Sequence, residues 1–140
     1  MLLGLLWILK WFPWWVRSAV AWPFALLVYV SSAKRKNIAR INLRLCFPDL
    51  SRKRINKIIR QHFYVKVRTV IDYGVLWWGS QQRVKQLIRI ENAEYYQQAA
   101  DAGKPVIVLT CHSFAVEYGG IRMSADYPFT SVAKQLKNPL

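Results

Sequence analysis

The sequence predicts an α/β protein entered through helices: an apolar, membrane-associated N-terminal helix, a basic amphipathic helical region, and then the beginning of an α/β domain. Three observations carry that expectation. Residues 1–33 are apolar apart from Lys10, Arg17 and three serines; from Ser51 onward apolar residues recur at three- and four-residue steps; and Val106-Ile107-Val108-Leu109-Thr110 is an unbroken, largely β-branched run. The first pattern fits a lipid surface, the second a helix with one buried face, the third a strand covered on both sides.

Length and charge bound the reading further. A chain of 140 residues suffices for one modest domain. It is 54% hydrophobic with seven tryptophans, yet carries a formal charge of +14. That charge is concentrated: residues 34–90 hold fifteen lysines and arginines against two acids, a net +13, whereas residues 1–33 carry +2 and residues 91–140 carry −1. The chain therefore divides into an anchor (1–33), a basic amphipathic region (34–90) and the start of an α/β domain (91–140). Such a combination suits a protein working against an anionic lipid surface or another anionic partner. Nucleic acid is not the expected partner, because no recognised binding module surrounds the basic run. Cys46 and Cys111 are the only cysteines, with no CxxC or Cys/His ligand spacing, so neither a disulfide framework nor a metal site is expected, and no cofactor is implied.

Within the anchor, Pro13 and Pro23 interrupt the apolar run. A spanning helix needs about 20 predominantly apolar residues, and Ser18 to Val30 reaches that only by including Arg17, whose side chain would snorkel to an interface. The alternative is a pair of short segments in the headgroup layer, with Trp7, Trp11, Trp14, Trp15 and Trp22 at the depth indole rings prefer. Ser31 and Ala33 fit a small-x-small cleavage site, but no basic residue precedes the apolar run and Lys34-Arg35-Lys36 follows it, the reverse of a signal peptide. The same cluster places that end in the cytoplasm.

The second region reads SRKRINKIIRQHFYVKVRTVIDYGV, with Ser51 as N-cap, Ile55, Ile59, Phe63, Val67, Val70, Ile71 and Gly74 on one face, and Arg52, Lys53, Lys57, Arg60 and Lys66 on the other. Near anionic headgroups each such cation adds roughly 1 kcal/mol of attraction. Asp72 lies one turn from Arg68, and His62 has no acidic neighbour at helical spacing, as expected of a packing or surface histidine. Trp77-Trp78 close the helix near Gly79.

Gln86 to Glu91 then predicts a short strand, Asn92 to Ala102 a helix stopped by Gly103, 106–110 a strand, Ser113 to Met123 a helix, and Phe129 to Ala133 a third strand. Active sites of α/β sheets gather at the carboxyl ends of strands, where His112 stands. Residues five apart on one helix are separated by about 140°, so His112 and Glu117 meet only if the histidine sits in the turn before the helix. There a carboxylate on one imidazole nitrogen fixes the tautomer, and the other nitrogen becomes a general base for a hydroxyl group. Spacing alone leaves two readings open, a catalytic pair and two unrelated polar residues.

The string His112-Ser-Phe-Ala-Val-Glu117 matches the H-x4-D/E signature of glycerolipid-type acyltransferases, and HSFAVEYGG followed by Arg122 resembles its form in the bacterial lipid A late acyltransferases, the lauroyl and myristoyl transferases. Asn42-Leu43, Cys46-Phe47-Pro48, Gly103-Lys104-Pro105 and Lys137-Asn138-Pro139 agree in order. The resemblance implies a truncated, glycerolipid-acyltransferase-like α/β domain. It also implies transfer of a fatty acyl group from acyl carrier protein to a hydroxyl of a phosphorylated glycolipid, a lipid A precursor, at the cytoplasmic face of the bacterial inner membrane. By position it gives His112 as general base, Glu117 as its orienting partner, and Lys134 and Asn138 as substrate contacts. Lys134 departs from the arginine usual in that family, which loses a bidentate fork. The family is about twice this length, so the sequence reads as an amino-terminal half. The same pair would equally serve an acyltransferase for another glycolipid or aminolipid, and a non-catalytic basic membrane-surface protein is the rival from another class.

Overall fold

Proline, glycine and serine set the element boundaries in the first eighty residues. The computed structural model describes residues 2–111, 113–114, 116–128 and 130, which fall into two compact units, Met1–Ser80 and Gln81–Leu140. In the first unit α1 (Leu2–Leu9) ends before Pro13, which occupies the N-cap position of α2 (Trp14–Ser31). Pro23 lies within α2 without ending it, so the helix keeps a full length of 18 residues at the expense of one backbone hydrogen bond. At Ser32 the backbone leaves helical geometry, and α3 (Ala33–Cys46) departs at 88° to α2. Ser51 Oγ accepts from the Arg54 backbone N–H at 3.3 Å, the N-cap bond that starts α4 (Arg52–Trp78), and Gly79 closes it.

The spacing-based face of α4 is the face that packs. Ile55, Ile59, Phe63, Ile71 and Gly74 are buried on it. Ile55, Ile59 and Phe63 form one cluster with Val28 and Tyr29 of α2, Ala39 and Leu43 of α3, and Leu50. Ile71 joins Leu6 and Leu9 of α1 and Ala21 of α2 in a second. The start of α2 therefore meets the end of α4 and the reverse, so the two helices run antiparallel, and the small Ala21 and Ala25, both buried, lie on the packed face of α2. Closest of all is the α1 crossing: a Cβ added at Gly74 would collide with the Leu6 backbone carbonyl.

Arg17 corrects the sequence expectation. It does not reach an interface; only 5% of it is exposed, and its Nε donates to Asp72 Oδ1 at 2.8 Å. Arg17 Nη1 donates to the Phe12 carbonyl at 2.8 Å, Arg68 Nη1 to Asp72 Oδ2 at 2.7 Å and Arg68 Nε to Ser18 Oγ at 3.1 Å. The pairing expected between Asp72 and Arg68 is present, enlarged into a network that ties α2 to α4. Lys10 is also buried, donating to the Trp78 carbonyl at 3.2 Å with its ammonium 4.8 and 4.9 Å from the Trp7 and Trp11 ring centres.

In the second unit α5 (Gln81–Leu87) is followed by a bend, α6 (Ala93–Asp101) and α7 (Val116–Ser124). The helix expected from Asn92 to Ala102 is present, and Gly103 ends it at a left-handed φ of 66° while the Lys104 N–H bonds back to the Ala99 carbonyl at 3.0 Å. Strand formation is where expectation and structure part. Gln86 and Leu87 belong to α5, so 86–91 is not a strand, and Ile107 and Leu109, 86% and 90% exposed, have nothing covering them. Seven helices and no strand occur among the described residues, and the α/β layer is not formed there. A β-branched run becomes a strand only when a neighbour takes its N–H and C=O groups; one expected neighbour is helical in part, and the other, 129–133, lies outside the described residues except for Thr130.

Among the described residues no single helix is long and apolar enough to cross a membrane; α2 and α3 together meet that measure only across their bend.

Candidate active site

The chain comes to the histidine-glutamate motif through residues with no regular structure and leaves it helical. Residues 104–111 are exposed and belong to neither helix nor strand, Ser113 and Phe114 turn, the Val116 N–H donates to the Ser113 carbonyl at 3.3 Å, and α7 begins at Val116. Glu117 is therefore in the first turn of α7 and exposed. A carboxylate there is favoured by the unpaired N–H groups of the helix start. His112, Lys134 and Asn138 lie outside the described residues. Cys111, beside the motif, is exposed and not disulfide-bonded.

The far end of α7 is braced. Arg122 Nε donates to the Ile88 carbonyl at 3.0 Å, and the Arg122 guanidinium also pairs with Asp126, which Lys85 of α5 reaches as well. Hydrogen bonds from Lys85 and then Arg122 hold the Asp126 carboxyl below its ordinary value of 3.8. Tyr127 packs on Tyr96 of α6 with ring centres 4.3 Å apart. Sequence reasoning noted Arg122 only as part of a motif; its four-residue spacing to Asp126 was a signal for the ion pair, whereas nothing local pointed to Lys85 or Ile88.

The basic region has its cations outward: Arg52, Lys53, Arg54, Lys57 and Arg60 of α4, and Lys34, Arg35 and Arg44 of α3, are all exposed. His62 is largely exposed, edge-on to Phe63 with ring centres 5.9 Å apart, and partial loss of its hydration together with the Lys66 charge pushes its imidazole below the ordinary value of 6.5. Among the described residues no group of three or more His, Cys, Asp or Glu is arranged to hold a metal ion.

Comparison with known proteins turns the motif into a family assignment. A family model described as bacterial lipid A biosynthesis acyltransferase matches residues 1–140. The chain belongs to the bacterial lipid A biosynthesis acyltransferase family. Among curated members it is similar to the lipid A biosynthesis palmitoleoyltransferase of Escherichia coli (strain K12), 26% identical over 138 residues that cover 99% of this chain and 45% of that protein. A lipid A biosynthesis acyltransferase of Haemophilus influenzae is 24% identical over 136 residues, 89% of this chain and 43% of the relative. The lipid A biosynthesis lauroyltransferase of Escherichia coli (strain K12) is 21% identical over 138 residues, 99% and 45%. No solved structure gives a significant match. The chain thus spans about half the length of the lipid A acyltransferases it matches.

Proposed function

We propose that this chain carries the acyl-transfer motif of an enzyme of lipid A biosynthesis, one that moves a fatty acyl group from acyl carrier protein to a hydroxyl of a lipid A precursor. The observation that carries the reading is the family match along the whole chain, with Glu117 of the H-x4-E string in the first turn of α7. His112 acts as general base: it takes the hydroxyl proton as the alkoxide oxygen attacks the thioester carbonyl, the C–S bond breaks, and the carrier thiolate leaves and is protonated. Glu117 orients the imidazole and stabilises its charged form. Lys134 and Asn138 contact substrate, and residues 106–110 pair into the sheet of the complete protein. Residues 1–33 hold the enzyme at the bacterial inner membrane with the catalytic side in the cytoplasm. An acidic carrier and a phosphorylated acceptor both complement the exposed cations of α3 and α4.

The test is acyl transfer by the full-length protein in membranes, with acyl carrier protein as donor and lipid A precursor as acceptor. General-base catalysis contributes typically 10²–10⁴-fold, so His112→Ala and Glu117→Ala should each lower the rate by about two orders of magnitude or more while leaving membrane association unchanged. Unchanged rates in both variants would remove the assigned roles and favour a basic membrane-surface protein with an idle motif.

A further inference from the structure

Helix α3 carries two apolar rows, and among the described residues only one has a packing partner. Ala39 and Leu43 pack against Ile55, Ile59 and Phe63. The other row, Ile38, Ile41 and Leu45, follows the three- and four-residue spacing of one helix face and is 49%, 49% and 77% exposed, and no residue of α3 is fully buried. Exposed Lys34, Arg35 and Arg44 flank it, and exposed Phe47 continues it past the helix end. The bend supplies an independent geometric constraint. With α3 at 88° to α2, an α2 that enters a bilayer steeply leaves α3 only one direction, along the surface. The outer side of α2 suits entry, since Trp15, Trp22, Leu26, Leu27 and Val30 are all exposed there.

We infer that α3 lies in the headgroup layer of an anionic bilayer, with Ile38, Ile41 and Leu45 at the acyl-chain boundary and its cations among the headgroups, while α2 descends into hydrocarbon. This extends membrane contact past residue 33 and rests on the anchor reading given above. An amphipathic helix flanked by cations is the kind that binds this way. An acidic protein partner would satisfy the cations but not the apolar row, which is why the lipid surface is the occupant.

The experiment places a bimane label at Leu26→Cys, Ile41→Cys or Lys57→Cys in the full-length protein, with Cys46 and Cys111 changed to serine. Labelled protein is mixed with phosphatidylglycerol/phosphatidylethanolamine vesicles brominated either near the glycerol or near the chain ends. The label at 26 should be quenched by deep bromines, that at 41 by shallow bromines, and that at 57, on a cation-bearing face, by no deep bromines. Quenching at 26 with none at 41 keeps the anchor and overturns the inference; quenching at none of the three removes both. As a second measurement, Ile41→Glu/Leu45→Glu should weaken partitioning into phosphatidylglycerol vesicles by about tenfold or more, from the lost burial of two aliphatic side chains, with helix content unchanged. Undiminished partitioning of that variant also overturns it.

Discussion

Replacing Gly74 by alanine should destabilise the first unit, although alanine is the better helix former. In an unpacked helix the change gains about 1 kcal/mol. Here the new Cβ would lie 2.9 Å from the Leu6 carbonyl carbon and closer still to its oxygen, where real Cβ contacts essentially never fall below 3.0 Å and ordinary ones begin at 3.4 Å. The obstacle is backbone, so no rotamer change relieves it, and α1 must move off α4 by about an ångström. A radial gap of that size forfeits a quarter to a half of each dispersion contact, and the residues affected, Leu6, Leu9, Ala21 and Ile71, form one of the unit's two buried clusters. Overpacking costs typically 1–3 kcal/mol, and set against the helix gain of about 1 kcal/mol the net effect is a loss of up to about 2 kcal/mol. All seven tryptophans lie in residues 1–80, so denaturant unfolding in mild detergent followed by tryptophan fluorescence reports this unit. Gly4, helical with nothing within 4 Å of an added Cβ, is the internal control: Gly4→Ala should be neutral or stabilising. Adding Leu6→Ala to Gly74→Ala should not restore stability, because the clash is with the main chain. If Gly74→Ala is as stable as Gly4→Ala, the close crossing of α1 and α4 is not there.

Two further outcomes follow from the ion pairs. Asp72→Ala leaves the buried Arg17 uncompensated and should cost about 3–5 kcal/mol, whereas Arg17→Met/Asp72→Leu should cost much less than the sum of its single changes; a double-mutant cycle on the same fluorescence transition measures this, and additive costs would show that the pair does not interact. For Asp126 the folded-state value is depressed, so its contribution to stability is present above the ordinary aspartate value of 3.8 and is lost as pH falls through the lower folded value. A carboxyl titration by NMR should place its midpoint below 3.8, moving upward in Lys85→Met; a midpoint at or above 3.8 in the native chain contradicts the Lys85 and Arg122 contacts.

What was legible in the sequence was local. The start, end and buried face of α4 follow from Ser51, Gly79 and the three- and four-residue steps of Ile55, Ile59, Phe63 and Ile71, all of which act within a few residues. Arg17 was misread because its partner lies 55 residues away, and a charge inside an apolar run has no local mark that tells an interfacial end from a buried pair. The strand expected at 86–91 was misread because Gln86 and Leu87 continue α5, and 106–110 is unpaired for a related reason: β-branching at Val106, Ile107 and Val108 states a preference, while a strand requires another segment alongside. Of the candidate site, Glu117 lies on the helix expected from Ser113 to Met123, which begins at Val116. Lys134 and Asn138 drew on resemblance alone, since isolated polar residues have no periodic signature.

The buried network changes what the N-terminal segment is. An anchor joined by a linker can be exchanged without disturbing the domain it tethers. Here α2 contributes Ala21 to one core cluster, Val28 and Tyr29 to the other, and the Arg17 guanidinium that neutralises Asp72. Removing α2 would strip the packed face of α4 along most of its length and leave Asp72 with Arg68 alone. The segment is therefore half of an antiparallel helix pair, and α4 inherits its orientation. Because Phe63 and Ile59 pack on the C-terminal end of α2 while Asp72 pairs near its start, Arg52, Lys53, Lys57 and Arg60 all belong to the end of the pair where α3 turns away. Wherever α2 is seated, those cations are held at that end by packing of α4 on α2, so the placement of this charge is fixed by the fold of the first unit.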